Sequence, residues 1–175
     1  MKNTMVVAVS VACVALGMGI GYAAKEKAPG IDVMRGKSAK EASQAALDEA
    51  EKLAGKGTWE LLGVARVYYL SGDKARGQSL IDRVMSYKTK GNDWQRIGQI
   101  YADAGENDKA AVYFQKVLDA DPNDDTGQAE IGSWYIRIGQ RDKGEALLGR
   151  ALSKSPEEVW HYVRIAEALN NLQPR

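Results

Sequence analysis

Apolar positions across residues 91–124 recur at helical spacing. Trp94, Ile97, Gly98 and Tyr101 lie at i, i+3, i+4 and i+7, which is one face of a helix. Gly105-Glu106-Asn107-Asp108 breaks the pattern and offers an Asn or Asp to cap a second helix. The stripe then resumes as Ala110, Ala111, Phe114, Val117 and Leu118, and Asp121-Pro122 ends it. The stretch predicts two helices joined by a tight turn.

The same pattern returns 34 residues later. Ile97 falls on Ile131, Gly98 on Gly132, Tyr101 on Tyr135, Gly105 on Gly139, Ala110 on Gly144, Phe114 on Leu148, Val117 on Ala151 and Pro122 on Pro156. Toward the N-terminus, Val64, Ala65, Tyr68, Gly72, Gly77, Ile81 and Val84 precede their counterparts by 33, and Thr89 stands where Pro122 would. Ile165, Ala166 and Leu169 continue the phase. Units are therefore predicted at 58–90, 91–124 and 125–158, with a half unit in 159–175. Gly98 and Gly132 sit mid-helix, where Gly costs about 1 kcal/mol relative to Ala, so a neighbouring backbone is expected to press close. Gly72, Gly105 and Gly139 mark the turns, where a positive φ suits Gly.

Helices are also predicted on both flanks, giving eight in all. Ser38-Ala39-Lys40-Glu41 is a capping box that opens a helix within 38–57. Its apolar side is Ala42, Ala46, Leu47, Ala50, Leu53 and Ala54, and Gly55 ends it. The final helix is predicted over 156–172, with Ser155 as N-cap, Pro156 in the first position and Glu158 completing a capping box. Tyr162, Ile165, Ala166, Leu169 and Leu172 are its expected buried side.

These residues resemble the tetratricopeptide repeat, a 34-residue helix–turn–helix with the pattern W-x₂-L-G-x₂-Y…A-x₃-F…P. Residues 91–124 follow it with Trp94, Ile97, Gly98, Tyr101, Gly105, Ala110, Phe114 and Pro122. Residues 125–158 follow with Ile131, Gly132, Tyr135, Gly139, Ala151 and Pro156, but carry Gln128 for the Trp and Gly144 for the Ala. Residues 58–90 match through Ala65, Tyr68, Gly72 and Ile81. The resemblance implies an all-α, right-handed α-solenoid of antiparallel helix pairs, with three repeats plus capping helices. It implies a non-catalytic scaffold or assembly factor that binds a protein or peptide, in an envelope complex if the chain is exported.

In such a solenoid the first helix of each unit lines a concave groove. The sides opposite the apolar stripes offer Trp59, Leu62, Arg66, Tyr69 and Leu70, then Asn92, Gln95, Arg96, Gln99, Ala102 and Asp103. They continue with Thr126, Ala129, Glu130, Ser133, Ile136 and Arg137, and with Trp160, Val163, Arg164 and Glu167. Amides suit a peptide backbone, arginines suit carboxylates, and Trp59 and Tyr69 suit an apolar side chain. Trp94 and Trp134 are expected in the core. Some proteins of the resembled family clamp a C-terminal carboxylate with Lys and Asn. Leu62, Gln95 and Ala129 do not reproduce that pattern. An alternative reading is a structural protein that self-associates through exposed solenoid ends, Trp59 and Trp160 among them.

Composition narrows the functional classes. The 175 residues carry 24 Lys+Arg against 23 Asp+Glu, which is no footprint for nucleic acid. One Cys and one His leave no metal site and no cofactor attachment to expect. His161 has no partner in sequence, and Asp119–Asp125 lacks the Gly and distal Glu of a calcium loop. No phosphate loop or nucleophile motif is present, so no catalysis is expected.

The N-terminus points to export. Lys2 precedes an uncharged run from Met5 to Tyr22, and Gly21-Tyr22-Ala23 offers small residues before a cut at Ala24. Residues 1–23 are expected to be a secretory signal peptide and 24–37 a flexible linker, which places the domain in the periplasm. The run is also long enough to be an uncleaved membrane anchor. Ser10-Val11-Ala12-Cys13 loosely resembles a lipidation box, although Ser10 stands where a branched apolar residue is usual. Membrane contact is expected only through that segment.

Overall fold

A computed structural model describes residues 29–174 of the chain. The signal-peptide and Cys13 expectations lie outside these residues. Eight α-helices follow a short 3-10 turn at Gly30–Val33: α1 (Ala39–Ala54), α2 (Thr58–Leu70), α3 (Lys74–Met85), α4 (Gly91–Asp103), α5 (Asn107–Ala120), α6 (Asp125–Arg137), α7 (Arg141–Lys154) and α8 (Val159–Leu169). Among the described residues there is no strand, and the architecture is an all-helical stack of the tetratricopeptide kind. The 3-10 turn gives local order to a stretch expected to be a featureless linker. Arg35 pairs with Asp32 at 2.9 Å, and Lys37 Nζ donates to the Val33 carbonyl at 2.9 Å.

The repeat phase sets the helix starts. First helices begin at residues 58, 91, 125 and 159, and their partners at 74, 107 and 141. Three hairpins result, α2–α3, α4–α5 and α6–α7, flanked by α1 and α8. The capping box of α1 is formed: Ser38 N donates to Glu41 Oε2 at 2.9 Å, and Glu41 N donates to Ser38 Oγ at 3.3 Å. Hydrogen bonds from Ser38 hold the Glu41 carboxyl below its ordinary range.

Within hairpins, small residues let the backbones meet. A Cβ added to Gly132 would lie 2.9 Å from the Gly144 carbonyl, and one added to Gly98 would lie 2.6 Å from the Phe114 ring. Phe114, Trp134 and Tyr135 fill the space beyond as a buried aromatic cluster. Trp94 is half-buried, short of full core burial.

Between successive helix layers, one tyrosine in each of α2, α4 and α6 ties back to the helix before it in the stack, α1, α3 and α5 respectively. Gln44 Nε2 donates to the Tyr68 hydroxyl at 2.8 Å, the Tyr101 hydroxyl donates to Gln78 Oε1 at 2.9 Å, and the Tyr135 hydroxyl donates to the Ala111 carbonyl at 3.2 Å. The three contacts link residues 24, 23 and 24 apart, so α1 holds the register of a second helix.

Two expectations for the final helix are corrected. It begins at Val159, and its N-cap is Glu158, whose carboxylate accepts from Trp160 N at 3.0 Å. Ser155 is instead the C-cap of α7, with its hydroxyl held by Asp125 at the start of α6. The buried face also differs. His161 and Ala168 are buried, whereas Tyr162, Ala166, Leu169 and Leu172 are exposed. The helix packs sideways on α6, and the Tyr162 hydroxyl donates to the Pro156 carbonyl at 2.9 Å.

Candidate functional site

The sides of α2, α4 and α6 away from their hairpin partners, with α8 beside them, carry most of the predicted groove residues. Helical periodicity places Arg66, Gln99, Ser133 and Glu167 at one repeat position, and Leu70, Asp103 and Arg137 at another. The structure joins these positions into a rung. Asp103 Oδ2 accepts from Arg66 Nη2 at 3.0 Å, and Asp103 Oδ1 accepts from Arg137 Nη1 at 3.1 Å. One nearly buried carboxylate thus ties three consecutive first helices together. Its two arginines are committed to it.

The chain's own C-terminal stretch reaches the same rung. Gln173 Nε2 donates to Asp103 Oδ2 at 3.1 Å, across 70 residues of sequence, and Pro174 next to it is buried. Nothing in the sequence pattern flagged these two residues, because they follow the last helix and carry no periodicity.

Toward the N-terminal end, the Arg96 guanidinium lies 3.3 Å from the centroid of the Trp59 ring, whose residue is 59% exposed. Arg96 Nη1 is buried without a hydrogen-bond partner. Burial, and secondarily the neighbouring Arg66 charge, lowers the Arg96 pKa. The Glu60 charge opposes both, and an anion bonded at Nη1 would add to that opposing pull. Asn92 is exposed and Gln99 half-buried on the same helix.

In the middle, Gln95 Nε2 donates to Glu130 Oε1 at 2.5 Å. Burial pushes the Glu130 carboxyl up, against the opposing pull of Arg164 and Gln95. At the C-terminal end a cavity of about 270 Å³ is lined by Thr126, Ala129, Trp160, His161 and Arg164. Trp160 is largely exposed, Arg164 lies 5.6 Å over its ring, and both ring nitrogens of His161 are buried without a hydrogen-bond partner.

Four predicted groove residues are buried within the packing. Leu62 is fully buried in the main core. Ser133 is fully buried, and its hydroxyl donates to the Arg164 carbonyl at 2.9 Å, fastening α6 to α8. Tyr69 is buried edge-on to Tyr101, ring centroids 5.6 Å apart. Its hydroxyl donates to Glu106 at 2.9 Å, and Lys74 and Lys109 each pair with that carboxylate at 2.7 Å. Burial first, then the Glu106 hydrogen bond, pushes the Tyr69 phenol up to about 12. Lys109 and then Lys74 pull Glu106 down to about 2. This cluster is a joint between hairpins, unrecognised in the sequence because its four members lie in three separate segments. Ala129, also expected to line the groove, is buried under the C-terminal cavity.

Among the described residues no group of three His, Cys, Asp or Glu side chains is placed to hold a metal ion. No described helix is long and apolar enough to cross a membrane.

A search of curated proteins finds no match. The family model of the tetratricopeptide repeat matches residues 91–124, the α4–α5 hairpin. Repeats of that family mediate protein–protein interaction, and proteins that carry them are generally non-catalytic binding scaffolds. Residues 91–124 are thus similar to one tetratricopeptide repeat, set in an all-helical stack whose neighbouring hairpins keep its helix spacing.

Proposed function

We propose that the protein is a scaffold or assembly factor that holds a protein partner as an extended segment along the faces of α2, α4 and α6. The observation that carries this reading is the chain's own C-terminal stretch, with Gln173 bonded to Asp103 and Pro174 buried. A short extended peptide with an amide donor already has a seat there. Beyond it, Arg96 Nη1 and the exposed Trp59 ring supply a guanidinium donor without an acceptor and an aromatic surface. A partner carboxylate flanked by an apolar side chain meets both needs, because a charge-assisted hydrogen bond to a half-buried guanidinium is strong. Partner binding then displaces residues 173–174.

We further propose export through residues 1–23 and action in the cell envelope, on the strength of the uncharged run from Met5 to Tyr22. The intact mass of the protein from the envelope fraction reads this directly. A chain starting at Ala24 supports a removed signal, and an intact N-terminus in the cytosolic fraction overturns export.

The groove is tested by placing a photo-crosslinking amino acid in the full-length chain in cells. Positions Asn92 and Gln99 are compared with Val112, which is exposed on the second helix α5. Crosslinks to a distinct polypeptide from 92 and 99, absent from 112, are expected. Equal yields at all three positions would remove the groove from the account.

A further inference from the structure

The two ends of the stack are complementary halves of one hairpin. Helix α8 starts 34 residues after α6 and holds the register of a first helix. Helix α1 holds the register of a second helix, as the Gln44–Tyr68 bond shows beside Gln78–Tyr101 and Ala111–Tyr135. Among the described residues, α8 touches α6 and α7 but has no second helix of its own to close a hairpin, and α1 packs on α2 but has no first helix of its own.

We infer that a second copy of this chain seats its α1 on the open face of α8, completing a fourth hairpin head to tail. The contact residues already fit. In the α6–α7 hairpin the close approach is made by Gly132 against Gly144 and Leu147. The same positions are Ala166 on α8, and Ser43 and Ala46 on α1, all small and all exposed. Around them α8 presents Tyr162, 54% exposed, and Leu169, 58% exposed, while α1 presents Leu53, 61% exposed. Small side chains from both partners meet at the close approach, and large ones from both surround it, as an interdigitating helix pair needs.

Charge supports the same seating. In the α6–α7 hairpin, Lys154 at the end of the second helix reaches the Asn123 carbonyl just before the first. The antiparallel seat therefore puts Lys56, just past the end of α1, beside Glu157 and Glu158 before α8, while Lys52 in the last turn is paired with Glu49 at 3.9 Å. Basic meets acidic at that edge.

The contact is heterologous, since α1 and α8 are different surfaces. Each copy added leaves a free end, so the contact builds chains or closed rings. It uses neither Trp59 nor Arg96, so it stands independently of the groove.

Cysteine pairing in the full-length chain decides the matter. Cys13→Ser removes the one native thiol, and Ala46→Cys and Ala166→Cys are introduced separately into chains carrying different tags. The equivalent pair inside the molecule is close: a Cβ on Gly132 lies 3.1 Å from the Leu147 Cβ, near the roughly 3.5–4.5 Å of a disulfide. Under mild oxidation, co-expressed chains should give a mixed disulfide dimer, with neither variant pairing with itself. The double variant should give a ladder of covalent oligomers. Self-pairing by Ala166→Cys alone, or mixed dimers no more abundant than with Val112→Cys, would overturn the inference. Light scattering of the otherwise unaltered chain against Leu169→Glu gives an independent reading. The substitution is expected to lower the mean mass toward that of one chain, and an unchanged mass would also overturn it.

Discussion

Of the places where this molecule sets a cation by an aromatic ring, two make a telling pair. At the joint between the first two hairpins, Lys74 and Lys109 lie near Tyr69 and Tyr101, and both reach Glu106 at 2.7 Å. At the N-terminal end of the groove, Arg96 lies flat on Trp59, with Nη1 lacking any acceptor. The difference is the anion. The joint contains its own, so its pieces are matched and its ring is buried. The groove end has only the nearby charge of Glu60, which leaves Arg96 Nη1 without an acceptor, and its ring stands in solvent. Cations and rings in similar company therefore tie two hairpins together in one place and leave a guanidinium nitrogen without an acceptor in the other.

The largest test of that contrast removes each ring. Tyr69→Ala deletes a buried side chain and leaves Glu106 without its phenol donor, and should cost about 3–5 kcal/mol in urea unfolding. Trp59→Ala, at an exposed ring, should cost about 0.5 kcal/mol or less while abolishing crosslinking from Asn92. The reverse order of stability losses would erase the distinction between joint and groove.

Acid titration sharpens it. Glu106 is held at about 2 by its lysines, below its ordinary value of 4.5. The folded state binds this proton less readily than the unfolded state. The stabilisation is therefore present above about pH 4.5 and is lost as pH falls toward about 2. Both lysines are more than half exposed, so screening leaves about 1–2 kcal/mol. Glu106→Gln should remove that part of the acid dependence, and an unaltered curve would deny the joint its role.

Glu130 should behave oppositely. Burial raises its pKa in the fold, so its contribution favours the folded state at low pH and is lost as pH rises through the folded value. Glu130→Gln keeps an oxygen acceptor for Gln95 without the buried charge. A modest rise in the urea midpoint at pH 7 is expected, and a fall would count against it. The smallest effect belongs to the tail. Removing residues 173–175 should change stability by a few tenths of a kcal/mol. It should raise crosslinking from Asn92 about two- to threefold, since a competitor for the seat is gone.

The periodicity made the hairpins legible before any coordinates. Gly98 and Gly132 marked the close approaches because a mid-helix Gly has a cost that only packing offsets. The polar side of α4 was legible for a related reason: that helix has one apolar stripe opposite it. On α2 the argument weakens. Leu61, Leu62, Val64, Ala65, Val67, Tyr68, Tyr69 and Leu70 are apolar nearly all round, so periodicity could not assign Leu62 and Tyr69 a face. On α8 it misled. Tyr162, Ala166 and Leu169 do form the repeat's hairpin stripe, but a stripe reports what a helix can pack against, and no described residue is there to meet it. The Asp103 rung joins residues 34 to 70 positions apart, and spacing alone does not report which opposite charges will meet.

The most direct test of the groove's guanidinium donor without an acceptor is the crosslinking yield from Asn92 in the full-length protein, with Arg96 intact and as Arg96→Ala. A carboxylate bonded to a half-buried guanidinium contributes about 1.5–3 kcal/mol, so the substitution should lower capture at least about tenfold at an unchanged urea midpoint. Undiminished capture by a stably folded Arg96→Ala protein would contradict the assignment of Arg96 as the partner's anchor.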